Sequence, residues 1–340
     1  MLIHGIILFH PGHHAYLLKL YYCADKIVQY DPCSIYRKDM CTWIASIAAI
    51  FLYKFALETT MLAQSGYNIL DVELVQEGKV DLAVVLYQKN HTLYLAGTCD
   101  LPVDFWNADP ARFNALRPRK LDLANIHPQY TNKMTKATSI HVLENFVKRP
   151  CYLQLLSFVT LEDFLDTNRV ASVIQREIST CEILRRNPHR NVAKYIGLET
   201  SHEISFPSVG VVQYFEKEVV TGIVFERYDT DLDTMVRDHQ HVDIENLLYD
   251  VTAGLNHLHR LGIVHADIKP ANIFHKNGRF VIGDFDSAHH IGDRYRLKAG
   301  TPGWDRDEWE FAKYGHDWYG LNRLEEWVKK ANAPLPLSYD

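Results

Sequence analysis

Residues 265 to 286 constrain this chain more than any other stretch. His265-Ala266-Asp267-Ile268-Lys269-Pro270-Ala271-Asn272 is followed, twelve residues past Asn272, by Asp284-Phe285-Asp286. Two carboxylates, one ammonium and one amide at this spacing suit the transfer of a phosphoryl group held on magnesium. Asp267 is placed to accept a hydroxyl's proton, Asn272 to turn its amide oxygen to a metal, and Asp284 to bind the same metals from the opposite side. Lys269 would then neutralise charge on the migrating phosphoryl. A turn whose Asp and Asn merely cap backbone groups would leave the downstream aspartate and the apolar strand before it unexplained.

The flanks agree with this reading. An amphipathic run, Ile244 to Leu261, precedes the loop, and apolar Ile273-Phe274 and Phe280-Val281-Ile282 follow it. Taken together, these residues resemble the protein kinases, whose catalytic loop reads H-R-D-x-K-x-x-N and whose metal loop reads D-F-G. The steps Val147-Lys-Arg-Pro150, Arg176-Glu-Ile178, Cys181-Glu-Ile-Leu-Arg-Arg186 and Asn187-Pro-His189 are most similar to the shortened protein-kinase-like domains of fungi. The resemblance implies an α+β, two-lobed protein-kinase-like fold with a truncated large lobe and an N-terminal extension. It also implies ATP and Mg2+ as cofactors, and phosphoryl transfer to serine or threonine hydroxyls of a protein substrate.

The same resemblance extends the candidate site. Lys148 takes the nucleotide role that the lysine of the Lys-Arg-Pro step has in those domains. It would pair with Glu177 on the amphipathic helix expected over Ala171 to Leu184, and the pair would seat the phosphates. Val220 to Leu232 looks like a kinase hinge, with Phe225 behind the adenine pocket and the backbone of Glu226 and Tyr228 at the adenine edge. Further on, Gly300-Thr301 resembles the end of an activation segment, and Asp317 stands where kinases buttress the catalytic loop. Ala266 stands where regulated kinases carry a phosphate-receiving arginine. Any activity is therefore expected to be set by nucleotide, substrate or the N-terminal region rather than by a phosphate switch, although Arg294, Arg296 and Lys298 could pair with a phosphate locally.

Departures from the family pattern keep two other readings open. No Gly-x-Gly-x-x-Gly precedes Lys148, Asp286 replaces the usual glycine, and the Ala-Pro-Glu that usually follows the activation segment is missing. A pseudokinase or scaffold would bind nucleotide or a partner without turnover. A small-molecule phosphotransferase of the aminoglycoside or choline kinase type shares the Asp-x-Asp pattern, against which stand Lys269 and Gly300-Thr301.

Composition sets wider bounds. The 340 residues carry a formal charge of −6, with 47% hydrophobic and 23% charged residues, which is ordinary globular material. That charge argues against a nucleic-acid partner held by a broad basic field. The six cysteines form no Cys-x-x-Cys pair, so a reducing, cytoplasmic location is expected. The 18 histidines lack zinc-site spacing. Residues 41–57 form an apolar run with Lys54 inside it, shorter than the roughly 20 residues of a membrane span. A buried or partner-facing helix is expected there, with a membrane segment or surface anchor as the alternative. Residues 80–98 read as a hairpin around the polar connection Gln88 to His91, and 100–139 as a long connection with little regular structure. The expected divisions are an N-terminal region 1–118, a small lobe 119–228, a large lobe 229–332 and a tail 333–340.

Overall fold

The computed structural model describes residues 67–77, 80–98, 118–150, 152, 168–206, 210–295, 300–301, 303–304 and 310–332. The expected helix over 41–57, the tail 333–340, and Arg296 and Lys298 lie outside them. Among the described residues, no helix is long and apolar enough to cross a membrane. The chain divides into two compact units. One comprises Met1–Asp122, Cys151–Phe164 and Glu203–Tyr214; the other comprises Leu123–Pro150, Leu165–His202 and Phe215–Asp340.

The first unit holds a four-stranded antiparallel sheet in the order β1 (Tyr67–Glu77), β2 (Val80–Lys89), β3 (Thr92–Thr98) and β4 (Arg119–Leu121). The hairpin expected over 80–98 is present, but its connection is two residues rather than four. Asn90 and His91 both take positive φ, 47° and 60°. That is the two-residue geometry whose twist matches the flanking strands, and asparagine tolerates it well. The strands consequently extend through Gln88 and Lys89. Val85, Leu86, Tyr87 and Gln88 are all buried without alternation, and Tyr87 stacks on its cross-strand partner Tyr94 with ring centroids 5.5 Å apart. Of the long connection expected over 100–139, residues 100–117 lie outside the described residues, and 118–139 are mostly irregular apart from β4 and a short 3-10 turn at Leu123–Asn125.

The second unit holds β5 (Asn145–Lys148), helix α1 (Asn168–Arg186) and the greater part of two long strands, β6 (Tyr195–Phe206) and β7 (Gly210–Glu226), of which residues 203–206 and 210–214 are assigned to the first unit. The sheet order is β5-β7-β6, so β5 is an edge strand, paired to β7 with Lys148 opposite Ile223 and Phe146 opposite Phe225. Helix α1 buries Ile178, Cys181 and Leu184 in the core, one stripe at helical spacing.

After β7 come β8 (Thr230–Asp231), α2 (Leu232–Arg237), α3 (Ile244–Arg260) and β9 (Ile263–Val264). Asp243 caps α3, its side chain accepting from Asn246 N, and the helix buries Leu247, Val251, Leu255 and Leu258. A hairpin follows, β10 (Ile273–Lys276) and β11 (Arg279–Ile282), turned by Asn277-Gly278 with φ of 52° and 72°. Its register sets Ile273 opposite Ile282, and Gly283 N donates to Asn272 O at 3.0 Å. The end of the catalytic loop and the start of the metal loop are thus brought side by side. Strand β12 (His289–His290) pairs with β9, and α4 (Tyr314–Ala331) buries Leu321, Leu324 and Val328.

Helix α4 approaches the catalytic loop closely at Gly320, where an added Cβ would stand 2.8 Å from Ile268 Cβ and 2.9 Å from Ile268 O. Gly320→Ala is therefore expected to destabilise the protein by about 1–3 kcal/mol, the usual range for overpacking, and to displace the loop that carries Asp267 and Lys269. Denaturant titration of the variant checks this. A midpoint equal to the parent's would show that the helix moves away without cost.

Candidate active site

The catalytic loop runs from β9 into a 3-10 turn at Pro270–Asn272. Asp317, fully buried at the start of α4, supports it from below. Its Oδ2 accepts from His265 N at 3.0 Å and from His259 Nε2 at 2.8 Å, and its Oδ1 accepts from Ala266 N at 2.8 Å. Ala266 holds φ 63°, a left-handed conformation that a non-glycine residue adopts only when its surroundings fix it.

Asp267 follows directly, 3% exposed. Its Oδ2 accepts from Lys269 Nζ at 2.8 Å and Asn272 Nδ2 at 3.0 Å. Its Oδ1 accepts from Thr301 Oγ1 at 2.7 Å and Thr301 N at 3.0 Å. Lys269 Nζ also donates to Thr301 Oγ1 at 2.6 Å. Burial works to raise the Asp267 pKa, but the bonds from Lys269 and Thr301 outweigh it and hold the carboxyl below its ordinary value. Because Asn272 donates through Nδ2, its amide oxygen remains available as a hard ligand.

The metal loop leaves β11 through Gly283 and places Asp284 at φ 62°. Phe285 is fully buried and packs edge-on against His265, centroids 5.5 Å apart. The His265 ring donates through Nε2 to Gly283 O at 3.0 Å. One imidazole thereby links the two loops.

Lys148 comes to this loop from β5. Its ammonium contacts Glu177 Oε1 at 2.8 Å and Oε2 at 2.9 Å, Asp284 Oδ1, and Asp286 Oδ2 at 3.4 Å. Burial alone would lower the lysine's pKa, yet the combined pull of Glu177, Asp284 and Asp286 holds it well above the ordinary range. Burial, the largest influence on Glu177, pushes that carboxyl up, and Lys148 opposes it. One ammonium thus faces three carboxylates. Among the described residues no three His, Cys, Asp or Glu side chains are grouped to hold a metal ion by themselves, so a bound Mg2+ would need Asn272 and Asp284 together with phosphate oxygens of a nucleotide.

The structure brings together Asp267, Lys269 and Asn272 in one hydrogen-bonded group, and Lys148, Glu177 and Asp284 in another. Phe225 is buried on β7 opposite Phe146. The Glu226 N–H donates to Lys194 O at 2.9 Å, which leaves its carbonyl rather than its N–H for an adenine edge. Among the described residues, the Tyr228 N–H has no backbone acceptor. The Tyr228 ring stacks on Phe274 at 5.6 Å, and its hydroxyl accepts from Lys194 N at 3.0 Å.

Three contributors had no individual role in the sequence reading. Thr301 closes the hydroxyl bridge between Asp267 and Lys269. Phe146 stands two residues before Lys148, hence on the same face of β5, and is 48% exposed, so it offers an aromatic surface beside the lysine. Arg176, next to Glu177 on α1, donates to Asp286 O at 2.6 Å and to His289 Nε2 at 2.7 Å. Its adjacency to Glu177 is the only local signal it carries.

His289 is held neutral by this arrangement. Its Nδ1 donates to Ser287 O at 2.7 Å while Nε2 receives the Arg176 bond, and Tyr295 packs edge-on at 4.6 Å. Burial, then the Arg176 charge, lowers its pKa to about 4 from the model-compound value of 6.5, with Asp293 acting weakly the other way. As pH falls, the unfolded chain takes up this proton first, so the stability linked to His289 is complete above about pH 6.5 and is lost progressively down to about pH 4. His289→Gln is expected to flatten the fall in melting temperature across that window, measured by calorimetry. Parallel curves for parent and variant would show that His289 titrates normally in the folded protein.

Comparison with known proteins agrees with this geometry. Residues 161–317 match the family described as protein kinase domain. Over 109 residues the chain is 34% identical to the serine/threonine-protein kinase SKS1 of Saccharomyces cerevisiae, covering 30% of this chain and 21% of that protein. It is 27% identical to cyclin-dependent kinase 7 of Xenopus laevis, covering 41% and 42%, and 30% identical to human calcium/calmodulin-dependent protein kinase type 1B, covering 39% and 36%. The chain thus spans 21% to 42% of the length of these relatives. A crystal structure of the yeast RNA Pol II CTD kinase CTDK-1 complex aligns at 21% identity over 49% of this chain and 53% of that one, with a TM-score of 0.38, too loose a likeness to add to the family match. Lys148 precedes the matched range, and its contacts with Glu177 and Asp284 attach it to the same site. The family match takes in both loops and their hydrogen-bonded geometry, so residues 161–317 are a protein kinase-like domain.

Proposed function

We propose that this chain transfers the γ-phosphoryl group of ATP, with Mg2+, to serine or threonine hydroxyls of a protein substrate. One observation carries the reading: a threonine hydroxyl, that of Thr301, already fits between the two catalytic groups, 2.7 Å from Asp267 Oδ1 and 2.6 Å from Lys269 Nζ. An incoming substrate hydroxyl needs the same two contacts, a carboxylate to take its proton and an ammonium beside the oxygen that attacks. The lowered pKa of Asp267 keeps it ionised near neutral pH, ready as the acceptor.

The other residues position and neutralise. Lys148, oriented by Glu177, would contact the α and β phosphates. Asn272 and Asp284 would hold magnesium, which offsets the charge of the phosphates and of the acidic surplus around Lys148. Phe225, the Glu226 carbonyl and the Tyr228 N–H would meet the adenine, with Phe146 against its ring. Because β5 is an edge strand and no glycine-rich sequence precedes it, the phosphates would be less tightly enclosed than under such a loop.

A second reading, a nucleotide or partner binder without turnover, is favoured by the direct contact of Asp284 and Asp286 with Lys148. In that arrangement the lysine is already neutralised. A small-molecule substrate is disfavoured by Lys269 and Thr301, which close a hydroxyl site characteristic of serine/threonine kinases.

Two measurements separate these readings. Mg·ATP at about a hundredfold excess over Kd should add roughly 2.7 kcal/mol of stability, and Asp284→Asn should remove that gain, because an amide supplies neither the charge nor a second anionic oxygen. Asp267→Asn should leave ATP affinity within a few fold yet cut peptide phosphorylation by roughly 10² to 10⁴, the usual worth of a positioned base. Nucleotide stabilisation with no transfer above the Asp267→Asn background would decide for the non-catalytic binder. Transfer to an aminoglycoside or choline but to no peptide would decide for the small-molecule enzyme.

A further inference from the structure

The second unit contains a cavity of about 590 Å3 that none of Lys148, Asp267 or Asp284 lines. Its walls are the end of α1, the turn at 188–190, the start of β6, the outer side of the Glu226–Tyr228 segment, and the β10–β11 hairpin. Leu184, Val192 and Val281 supply an apolar floor, while Arg185, Arg190, Lys194, Lys276 and Arg279 supply five cationic side chains. Glu226 is the one carboxylate among the lining residues, and it is taken by Lys276 at 2.7 Å. Arg185 reaches Glu182 at 3.4 Å. Arg190, Lys194 and Arg279 are exposed at their side chains and have no carboxylate partner among the described residues. In a chain whose formal charge is −6, so concentrated a positive field is an outlier that folding does not require. The neighbourhood registers it: after burial, the charges of His257, Arg260 and Arg190 hold the adjacent His189 below its ordinary pKa.

We propose that this cavity is a second ligand site, for a small, multiply phosphorylated molecule. Three features support that class. The volume lies within the range of about 300–1,000 Å3 typical of small-molecule sites. Three arginines and two lysines around one space suit several phosphates, since arginine binds them bidentately and lysine as a point charge. The apolar floor with the Tyr228 ring accommodates the uncharged frame that carries the phosphates. A peptide would need an extended groove, whereas these five cationic residues line one cavity.

The site adjoins the segment proposed to meet adenine. Lys276 Nζ also donates to Arg227 O at 2.8 Å, and Lys194 holds both Glu226 N and the Tyr228 hydroxyl through its backbone. A ligand that draws Lys276 or Lys194 toward its phosphates therefore pulls on the segment's outer side. Its binding and that of nucleotide would alter each other by the same factor. This coupling rests on the kinase reading; the binding itself does not, and the test is chosen to keep them apart.

The experiment is calorimetric titration of the full chain with inositol hexakisphosphate, used as a compact polyanionic probe, without nucleotide. One equivalent is expected to bind, and Lys194→Glu with Arg279→Glu to weaken it by at least about tenfold, roughly 1.4 kcal/mol. Lys217→Glu, an exposed lysine on β7 outside the cavity, controls for net charge, and Lys148→Met controls for the nucleotide site. Both controls should bind the probe as the parent does. Circular dichroism of each variant establishes that it is folded, and Arg190→Gln provides a milder substitution that should also weaken binding if the double variant does not fold. Absence of binding, binding indifferent to the cavity substitutions, or an equal loss in Lys217→Glu or Lys148→Met would overturn the proposal. So would a phosphoserine peptide that displaces the probe at lower concentration, since the occupant would then be a protein segment.

Discussion

A buried carboxylate with three donors holds the catalytic loop in shape. Asp317 is fully buried and binds His265 N, Ala266 N and the His259 ring, so α3, the loop and α4 meet at one side chain. The loop needs that support because Ala266 is left-handed, a conformation that costs a non-glycine residue about 1–2 kcal/mol. Two backbone N–H groups aimed at one carboxylate offset that cost and fix the direction in which the chain leaves toward Asp267. One turn further along α4, the absence of a side chain at Gly320 lets the helix sit against Ile268. The geometry of Asp267, Lys269 and Asn272 is therefore set from behind the site, by groups that never reach a substrate.

Lys148 does the corresponding work for the second hydrogen-bonded group, with Glu177 and Asp284. Its strand is four residues long and paired on one side only, so pairing with β7 fixes the register but gives limited support. The ammonium joins β5 to α1 through Glu177 and to the metal loop through Asp284 and Asp286, contacts 29, 136 and 138 residues apart in sequence. Removing one partner from such a half-buried cluster leaves the others uncompensated, which is more damaging than the net worth of the cluster suggests. Arg176 adds a second tie from α1, to the carbonyl of Asp286. The metal loop is thus held from β5 by a charge contact through Lys148 and from α1 by the bond of Arg176 to a neutral acceptor.

How much of this was legible depends on sequence distance. The catalytic and metal loops could be read because their chemistry lies within 22 residues at fixed spacing, and the hairpin between them has an Asn-Gly turn. Glu177 and Lys148 were readable through resemblance, and the structure joins them by two hydrogen bonds. Strand β1 was not anticipated, although Leu70, Val72 and Leu74 alternate there with Asp71 and Glu73, a strand pattern that the apolar sequence before it obscured. The bridge from Arg176 to His289 spans 113 residues and has no local signature. The cationic cavity was equally hidden. Arg185, Arg190 and Lys194 read as ordinary solvated charges until the fold sets Lys276 and Arg279, some eighty residues on, against them.

The position beside Asp267 shows how the loop and the segment after the metal loop are joined. Regulated kinases place an arginine there, to be neutralised by a phosphate. Here Ala266 packs with Val264 and Ala312, and Tyr295 and Tyr314 lie against the same cluster. A guanidinium could not occupy that apolar site without a heavy desolvation cost. The segment is instead attached by packing and by uncharged donors: Tyr295 hydrogen-bonds the His316 ring, and Thr301 donates to Asp267 through both its hydroxyl and its N–H. Burial lowers the His316 pKa to about 4, so that bond keeps its neutral form at physiological pH. Contacts of this kind need no added charge to form and are little screened by salt. Among the described residues, the loop and the segment are therefore joined by packing and by uncharged donors rather than through an arginine beside Asp267.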